Sequence, residues 1–391
     1  MEIRKTFKVY IFLLVLIGAL AGCFTLAHQI FKSKEIASYE NFYKNEEKIA
    51  LDVLKPIWHE PNPEVNLNKE RINVLVVEGG GAKGLFAVRI LDYLEKKTGK
   101  PISELYDVMG GTSIGSFIVS ALSIEEKGKP KYSAEYFIEI FPKLAQKALY
   151  SSWKQVLLSG FGLFSPLINT QEYIDLLRSI YGDIPTSKTL NHLVLYGLNF
   201  STSKIQAFHS RGNSLETADP LLYQLIGGTI SFFGLFPPNK VLLSPLYSPQ
   251  FIGDAALVLN NPVETVMMDL LKMYPDKKFL VTYIVIAPKQ MPDTLNFPYY
   301  SGHFEAERLY MGPLIGTVQN QLIRKSMQSL SSVYQFDLLF EIGLKQNVEW
   351  VQLDPFDFSD KNIEKIDDFS KLILRENKEA LDSLAIELLK Q

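Results

Sequence analysis

Ser113 lies at the centre of a Gly-X-Ser-X-Gly turn that runs from Gly111 to Gly115. Residues 106–110 before it read as a short strand, and residues 116–122 after it read as a helix of small and apolar side chains. Glycines on both sides permit a sharp turn from strand to helix, which holds a serine hydroxyl clear of the backbone as a nucleophile. This sequence pattern alone is weak evidence for a catalytic serine. Such a serine also needs a base and a group that stabilises negative charge, and other parts of the chain must provide them.

A run of three glycines, Gly79 to Gly81, is the second group that could do chemistry. It follows an apolar run at residues 74–77 and precedes Lys83 and a helical pattern over residues 85–94. Without Cβ atoms, the backbone N–H groups of such a turn can converge, and at a helix N-terminus they stabilise a negative charge. That charge is either a bound phosphate or a transient oxyanion.

The phosphate interpretation fits this sequence poorly. A nucleotide-binding P-loop places a hydroxyl residue after Gly-Lys, whereas here Lys83 precedes Gly84 and Leu85 follows. A dinucleotide fingerprint matches the spacing of the glycines in residues 79–84, but it requires an acidic residue at a strand end about twenty positions further on. Glu104 lies near that distance in loop-like sequence, which favours the oxyanion interpretation.

Ser113 needs a base, and two kinds of residue could supply it. Asp254 follows a short apolar strand and precedes a helix that begins near Pro262. A carboxylate accepts the proton directly if it lies within hydrogen-bond distance and is partly shielded from water. A Ser-His-Asp triad is the alternative, because triad members meet in space and not in sequence. Its candidates are the domain histidines His192, His209 and His303.

Together, the three stretches resemble the patatin-like phospholipase family. That family pairs an Asp-Gly-Gly-Gly-x-Arg/Lys-Gly motif with a Gly-x-Ser-x-Gly nucleophile and an Asp-Gly-Gly/Ala motif, often followed by Asn-Asn-Pro. The corresponding stretches here, in the same order, are Glu78–Gly84, Gly111–Gly115, Asp254–Ala256 and Asn260–Pro262. The resemblance covers about residues 71–290, and three motifs in order are far more specific than any one of them.

The resemblance implies a Ser-Asp dyad that hydrolyses acyl esters of lipids, as a phospholipase A or a lysophospholipase. Ser113 would attack the ester carbonyl while Asp254 takes its proton. Lys83 occupies the basic position of the motif, where it would steer an anionic head group or fix the loop, and a solvated side chain is the alternative. Neither a metal nor another cofactor is implied, and the implied partners are a lipid ester and a membrane. The oxyanion hole would be formed by the backbone N–H groups of Gly79, Gly80 and Gly81.

Two residues depart from the family pattern. Glu78 replaces the usual Asp before the glycines and keeps the charge. Ala255 replaces the Gly after the base, and if this position has a positive φ, alanine costs roughly 1 kcal/mol. A strained turn there would place Asp254 less well, which leaves room for a weakly active or regulated enzyme. The alternative function is a lipid- or partner-binding protein on this fold with little turnover, because a fold alone does not determine function.

The single cysteine, Cys23, ends an N-terminal segment with the pattern of a secretory signal. Basic residues precede an apolar run over residues 9–22, and Leu20-Ala21-Gly22-Cys23 resembles a bacterial lipobox, in which the cysteine is lipidated. An uncleaved anchor is the alternative, because the apolar run approaches the ~20 residues that a membrane helix needs. Both interpretations attach the protein to a membrane, the first as a lipoprotein of the bacterial cell envelope.

The 391 residues divide into a signal or anchor over 1–22, a helix and linker over 23–70, and one domain over 71–391. Alternating strand and helix patterns in that domain predict an α/β fold with a largely parallel central sheet flanked by helices. The last strand is expected at residues 348–353. A formal net charge of -3 implies no basic surface for nucleic acid.

Overall fold

A central sheet of eight strands organises the structure, which is a computed structural model. The structure describes residues 37–55, 69–148, 168, 170–211, 219–232, 235–243, 248–288, 312–334, 336–344 and 353–390. Strands β3 and β4 form a separate two-stranded hairpin. The described strands are β1 (Arg71–Val77), β2 (Val108–Thr112), β3 (Glu125–Glu126), β4 (Lys129–Pro130), β5 (His192–Asn199), β6 (Lys204–His209), β7 (Asn239–Val241), β8 (Gln250–Asp254), β9 (Lys278–Ile284) and β10 (Leu338–Ile342).

Parallel pairing dominates the sheet, which confirms the fold class predicted from the sequence. Strands β10, β9, β1, β2 and β5 lie side by side in that order, and all of these pairs are parallel. Beyond them, β6 and β8 pair antiparallel with β5, and β7 pairs antiparallel with β8. A parallel strand covered on both faces is a continuous apolar run, and all but the first residue of β1 is buried.

Helices cover both faces of this sheet. Along β1, Leu75 and Val77 join one apolar cluster while Val74 and Val76 join another, as the two-residue period of a strand requires. A 3-10 turn covers Gly81–Lys83. The described helices are α1 (37–54), α2 (Gly84–Thr98), α3 (Ile102–Leu105), α4 (Ile114–Ala121), α5 (Ala134–Ala148), α6 (Thr170–Tyr181), α7 (Leu222–Thr229), α8 (Val263–Met273), α9 (Gly312–Tyr334), α10 (Asp360–Glu376) and α11 (Lys378–Leu388).

Helix α1 packs on the α/β unit. Ala50 and Leu54 are buried in the larger apolar cluster, and the Glu46 carboxylate accepts hydrogen bonds from side chains of α7. The folded unit therefore includes α1, whereas the sequence analysis begins the domain near Arg71. The buried positions of α1 are few, and the surface that they cover is formed by residues far away in the sequence.

Residues 1–36, which contain Cys23 and the signal-like segment, lie outside the described residues. In the part of the chain that the structure describes, no helix has both the length and the apolar character needed to cross a membrane. Most of the strand predicted at residues 348–353 also lies outside the described ranges. Strand β10, which forms an edge of the sheet, is not among the strands predicted from the sequence.

Candidate active site

The turn at Ser113 joins the end of β2 to the start of α4. Ser113 has φ 54° and ψ −128°, a conformation that is costly for a residue with a side chain. A Cβ atom on Gly115 would lie 2.1 Å from the carbonyl oxygen of Val77, and one on Gly111 would lie 2.5 Å from the carbonyl carbon of Gly115. Both glycines of the Gly-X-Ser-X-Gly sequence are therefore required by close backbone packing, and the packing holds Ser113 in its strained conformation.

Ser113 and Asp254 form a direct hydrogen bond. Ser113 Oγ donates to Asp254 Oδ2 at 2.5 Å, and the other carboxylate oxygen accepts the N–H of Ala256 at 2.8 Å. Asp254 is 9% exposed. Burial raises the pKa of this carboxyl to about 7, while its hydrogen bonds act in the opposite direction. The carboxylate is thus oriented by one bond and placed to accept a proton through the other.

Strand β5 explains how these distant parts of the chain meet. Strand β2 pairs with β5 as far as Tyr196, where its partner is Thr112. Strand β8 takes over at the next residue, Gly197, whose partner is Asp254. Both strands must use the same edge of β5, because β6 occupies the other edge beside both of them. The two strands therefore end against each other, and Ser113, which follows Thr112, meets Asp254.

The glycine loop lies against Ser113, but its first N–H group has another partner. A Cβ atom on Gly79 would lie 3.1 Å from the Cβ of Ser113 and 2.5 Å from Oδ1 of Asn260, so only glycine permits this approach. The N–H of Gly79 donates to the carbonyl of Asn260 at 3.0 Å. This bond holds the loop in place and gives the Gly79 N–H an acceptor other than the oxyanion predicted for it.

Gly80 and Gly81 carry the N–H groups that have no acceptor among the described residues. Gly81 has φ +56°, and a Cβ atom there would lie 2.1 Å from the carbonyl oxygen of Pro355. The N–H of Ala82 donates to the same oxygen at 2.7 Å. Position 81 therefore requires glycine both for its left-handed backbone and for this contact.

Glu78, immediately before the glycines, holds three segments together. Its Oε2 accepts the N–H groups of Ile286 at 2.5 Å and Ala287 at 2.9 Å, beyond the end of β9. Its Oε1 accepts the side-chain amides of Asn260 and Asn320, each at 2.8 Å. Burial raises the pKa of Glu78 to about 7, although these four bonds favour the ionised form. In the sequence, Glu78 stands out only as a replacement that keeps the charge of the usual Asp.

The Lys83 side chain is only 1% exposed, so the solvated interpretation is wrong. Burial lowers its pKa well below the usual range, and the charges of Asp354 and Glu78 act in the opposite direction. A side chain so placed does not reach a head group in solvent. Its position suits the fixing of the loop, because Asp354 directly precedes Pro355, which contacts Gly81.

Ala255 is not strained. Among the described residues, the non-glycine residues with positive φ are Ser113, Lys127 and Ser203. Ala255 is 1% exposed and belongs to the apolar cluster on one face of the sheet. The condition under which alanine would be strained is therefore not met, because the turn does not use the left-handed backbone that favours glycine.

The two described histidines of the domain lie away from Ser113. His192 pairs with Val108, at the start of β2, whereas Ser113 follows the end of that strand. His209 lies beside His192, with 3.3 Å between their ring nitrogens, and its Nε2 is 3.5 Å from Asp269. His303 lies outside the described residues. Neither described histidine is therefore placed to act as the base.

A known family matches the part of the chain that carries both site residues. The model of the patatin-like phospholipase family matches residues 75–267. This part of the chain is a patatin-like phospholipase domain. The three motifs of this patatin-like domain thus converge at one end of the parallel strands, where β1 and β2 finish.

Individual relatives are distant. The cGAMP-activated phospholipase of Escherichia coli (strain TW11681) is 27% identical over 223 residues, which are 54% of this chain and 58% of that protein. Probable inactive patatin-3-Kuras 1 of Solanum tuberosum is 24% identical over 208 residues, 48% of this chain and 52% of that protein. The chain thus spans about half the length of these curated relatives. The structure of human GIVD cytosolic phospholipase A2 compares with a TM-score of 0.44 and 11% identity, over 90% of this chain and 65% of that one.

Several residues that support the patatin-like site lie outside the matched range and were missed in the sequence. They are single residues without a motif, and each reaches the site through a long-range contact. The signal that could have found the polar ones is weak, since a lone Asn or Asp is usually a surface residue. These residues are Ile286, Ala287, Asn320, Asp354 and Pro355.

Proposed function

We propose that this protein is a lipid acyl hydrolase in which Ser113 is the nucleophile and Asp254 is the base. The observation that carries the proposal is the 2.5 Å hydrogen bond from Ser113 Oγ to Asp254 Oδ2. Family membership supports a lipid ester as the substrate. A phospholipid is the preferred ester, because relatives of the chain are named as phospholipases.

In the first half of the reaction, Ser113 Oγ attacks the ester carbonyl carbon and its proton passes to Asp254 Oδ2. The carbonyl oxygen becomes an oxyanion, which the N–H groups of Gly80 and Gly81 stabilise. Removal of one such donor typically costs about 3 kcal/mol of transition-state stabilisation. The tetrahedral intermediate then expels the alcohol, which takes the proton from Asp254, and the acyl group remains on Ser113.

In the second half, Asp254 removes a proton from a water molecule that attacks the acyl-enzyme. The new tetrahedral intermediate collapses, Ser113 recovers a proton through Asp254, and the fatty acid leaves. One water is consumed for each ester cleaved. A base with a pKa near the working pH suits both halves, because Asp254 must accept and return a proton in each.

Attachment to a membrane is part of the same proposal. Lipidation of Cys23 would keep the protein at a bilayer that supplies its substrate, and an uncleaved N-terminal anchor would do the same. Mass spectrometry of the mature N-terminus distinguishes the two, because a diacylated Cys23 begins the chain only in the first case.

The decisive experiment measures free fatty acid released by the full chain from mixed phospholipid vesicles, with products identified by mass spectrometry. We compare the wild type with Ser113→Ala and Asp254→Asn. Each variant should lose roughly a thousandfold or more in kcat, as for other members of nucleophile–base pairs. Ser123→Ala is the matched control, because Ser123 is a buried serine that bonds to Val119 and Asn191 instead.

Equal activity of wild type and Ser113→Ala would overturn the dyad. A wild-type protein that binds the vesicles but releases no fatty acid would favour the alternative of a lipid-binding protein on this fold. A fluorophosphonate probe gives an independent readout, since it should label the wild type at Ser113 and leave Ser113→Ala unlabelled.

A further inference from the structure

Helix α1, which precedes the part of the chain matched by the family, contains a buried carboxylate. Glu46 is 4% exposed. Its Oε2 accepts the hydroxyl of Tyr223 at 2.6 Å and the side-chain amide of Gln224 at 3.0 Å, and its backbone carbonyl accepts the same amide at 3.1 Å. A buried acidic side chain is costly, and an apolar residue of similar size often packs as well or better. We infer that Glu46 is present because its directional hydrogen bonds fix the position of α7 relative to α1, which apolar packing alone would not do.

Helix α7 in turn contacts the strand that ends in Asp254. A Cβ atom on Gly228 would lie 2.8 Å from the Cβ of Ile252, so α7 lies directly on β8. The residue that follows the helix by two positions, Ser231, accepts the backbone N–H of Asp254 at 3.1 Å. The end of α7 thus helps to fix the position of the Asp254 backbone.

A second connection runs through β7. The carbonyl of Gln224, whose side chain binds Glu46, accepts the side-chain amide of Asn239 at 2.7 Å. Asn239 pairs with Ile252 in the sheet, two residues before Asp254. Both ends of α7 are therefore tied to β8, and Glu46 anchors the first turn of that helix.

We propose that Glu46 is a positioning residue for the reaction, which places Asp254 opposite Ser113 through α7 and β8. The proposal rests on the proposed function, in which Asp254 is the base. It extends the catalytic unit to a helix that lies outside the range matched by the family. Glu46 itself does not touch the reacting atoms.

The test compares Glu46→Ala, Glu46→Gln and the control Glu47→Ala in the full chain. Glu47 is the neighbouring carboxylate on the same helix and is less buried. Glu46→Ala removes the acceptor of the Tyr223 hydroxyl and leaves the Gln224 amide with the backbone carbonyl of residue 46 but not the carboxylate. We expect kcat to fall about tenfold with KM within about twofold of wild type. Glu46→Gln retains one acceptor oxygen and should recover most of kcat, while Glu47→Ala should match the wild type.

Amide hydrogen exchange supplies a readout that does not depend on catalysis. In Glu46→Ala, exchange should accelerate about tenfold in peptides that cover α7 and residues 250–256, and remain unchanged in β1 and β9. A general loss of stability would accelerate all four regions together. Unchanged exchange at residues 250–256, or no recovery in Glu46→Gln, overturns the proposal.

If Glu46→Ala does not fold, Tyr223→Phe takes its place, because it removes one donor and keeps the ring. The same local acceleration and a smaller loss of kcat are then expected, and wild-type values for both would reject the proposal. If the wild type itself releases no fatty acid, the proposed function fails, while the exchange pattern still decides whether Glu46 controls the position of Asp254.

Discussion

The N–H of Gly79 donates to the carbonyl of Asn260 at 3.0 Å, and this bond links the glycine loop to the segment that follows Asp254. The side chain of Asn260 also donates to Glu78. The part of the site that would hold the oxyanion and the part that would accept the proton are therefore fixed to each other as well as to the sheet. A change in either loop should affect both functions of the site.

Activity should depend on pH through Asp254. Burial raises the pKa of this carboxyl to about 7. A protonated Asp254 is far too weak a base to take the proton of Ser113, so kcat/KM should fall tenfold for each unit of pH below about 7 and level off above it. The measurement is kcat/KM between pH 5 and 9 with an uncharged nitrophenyl ester.

Burial also raises the pKa of Glu78 to about 7, so protonation of Glu78 is the competing explanation for a fall in activity at acidic pH, the acidic limb of the profile. Glu78→Gln is therefore measured alongside. If Asp254 is responsible, the variant has lower activity but keeps the acidic limb. A limb that disappears in Glu78→Gln, or a wild-type profile that stays flat to pH 5, contradicts the assignment.

Gly81→Ala should abolish activity. Its Cβ would lie 2.1 Å from the Pro355 carbonyl oxygen, so the loop or Pro355 must move and the N–H groups of the proposed oxyanion hole move with it. Gly99→Ala is a matched control, because Gly99 also has a positive φ, +69°, with no atom within 4 Å of the added Cβ. Both variants should lose about 1 kcal/mol of stability from backbone strain, but only Gly81→Ala should lose kcat. Equal kcat in the two variants would show that the loop is not part of the site.

Lys83→Met should lower kcat without changing the choice of head group. The lysine is buried beside Asp354, so its loss loosens the contact between the glycine loop and residues 354–355. The measurement is the ratio of kcat/KM for phosphatidylglycerol to that for phosphatidylcholine. We expect the same ratio as in the wild type. A selective loss with the anionic lipid would restore the head-group role that the sequence suggested.

Ala255→Gly, which restores the usual family residue, should not improve the enzyme. Ala255 is buried and has no positive φ, so glycine relieves no strain and adds backbone entropy to the unfolded state. We expect a loss of roughly 0.5–1 kcal/mol in the free energy of unfolding and an unchanged kcat. Urea denaturation and steady-state kinetics test the two parts separately. A higher kcat would mean that the turn is strained after all.

The features that could be predicted from the sequence are those with a pattern in neighbouring residues. The apolar run at residues 74–77, the turn around Ser113 and the strand before Asp254 each carry a local pattern, and the largely parallel sheet follows from their order. The local context of Asp254 makes it a candidate base, but only the family resemblance favours it over a histidine, because two residues 141 positions apart show no relationship in sequence.

Features set by long-range contact could not be predicted in this way. The bond from Gly79 to Asn260, the burial of Lys83 and the packing of α1 depend on which segments become neighbours. Ala255 shows the opposite error, since a family pattern suggested strain that the backbone does not have. In each case the missing information was the local backbone conformation or its surroundings.

The meeting of β2 and β8 along one edge of β5 has a consequence for synthesis of the protein. Ser113 leaves the ribosome long before Asp254, its hydrogen-bond partner. The carboxylate of Glu78 accepts its last hydrogen bond only after Asn320 has been synthesised and has reached its place in the fold. In an unfinished chain, Ser113 therefore lacks the carboxylate of Asp254, and the glycine loop lacks the later residues that hold it in place. We expect the proposed hydrolytic activity to appear only after most of the domain is complete, so that a nascent or truncated chain has none.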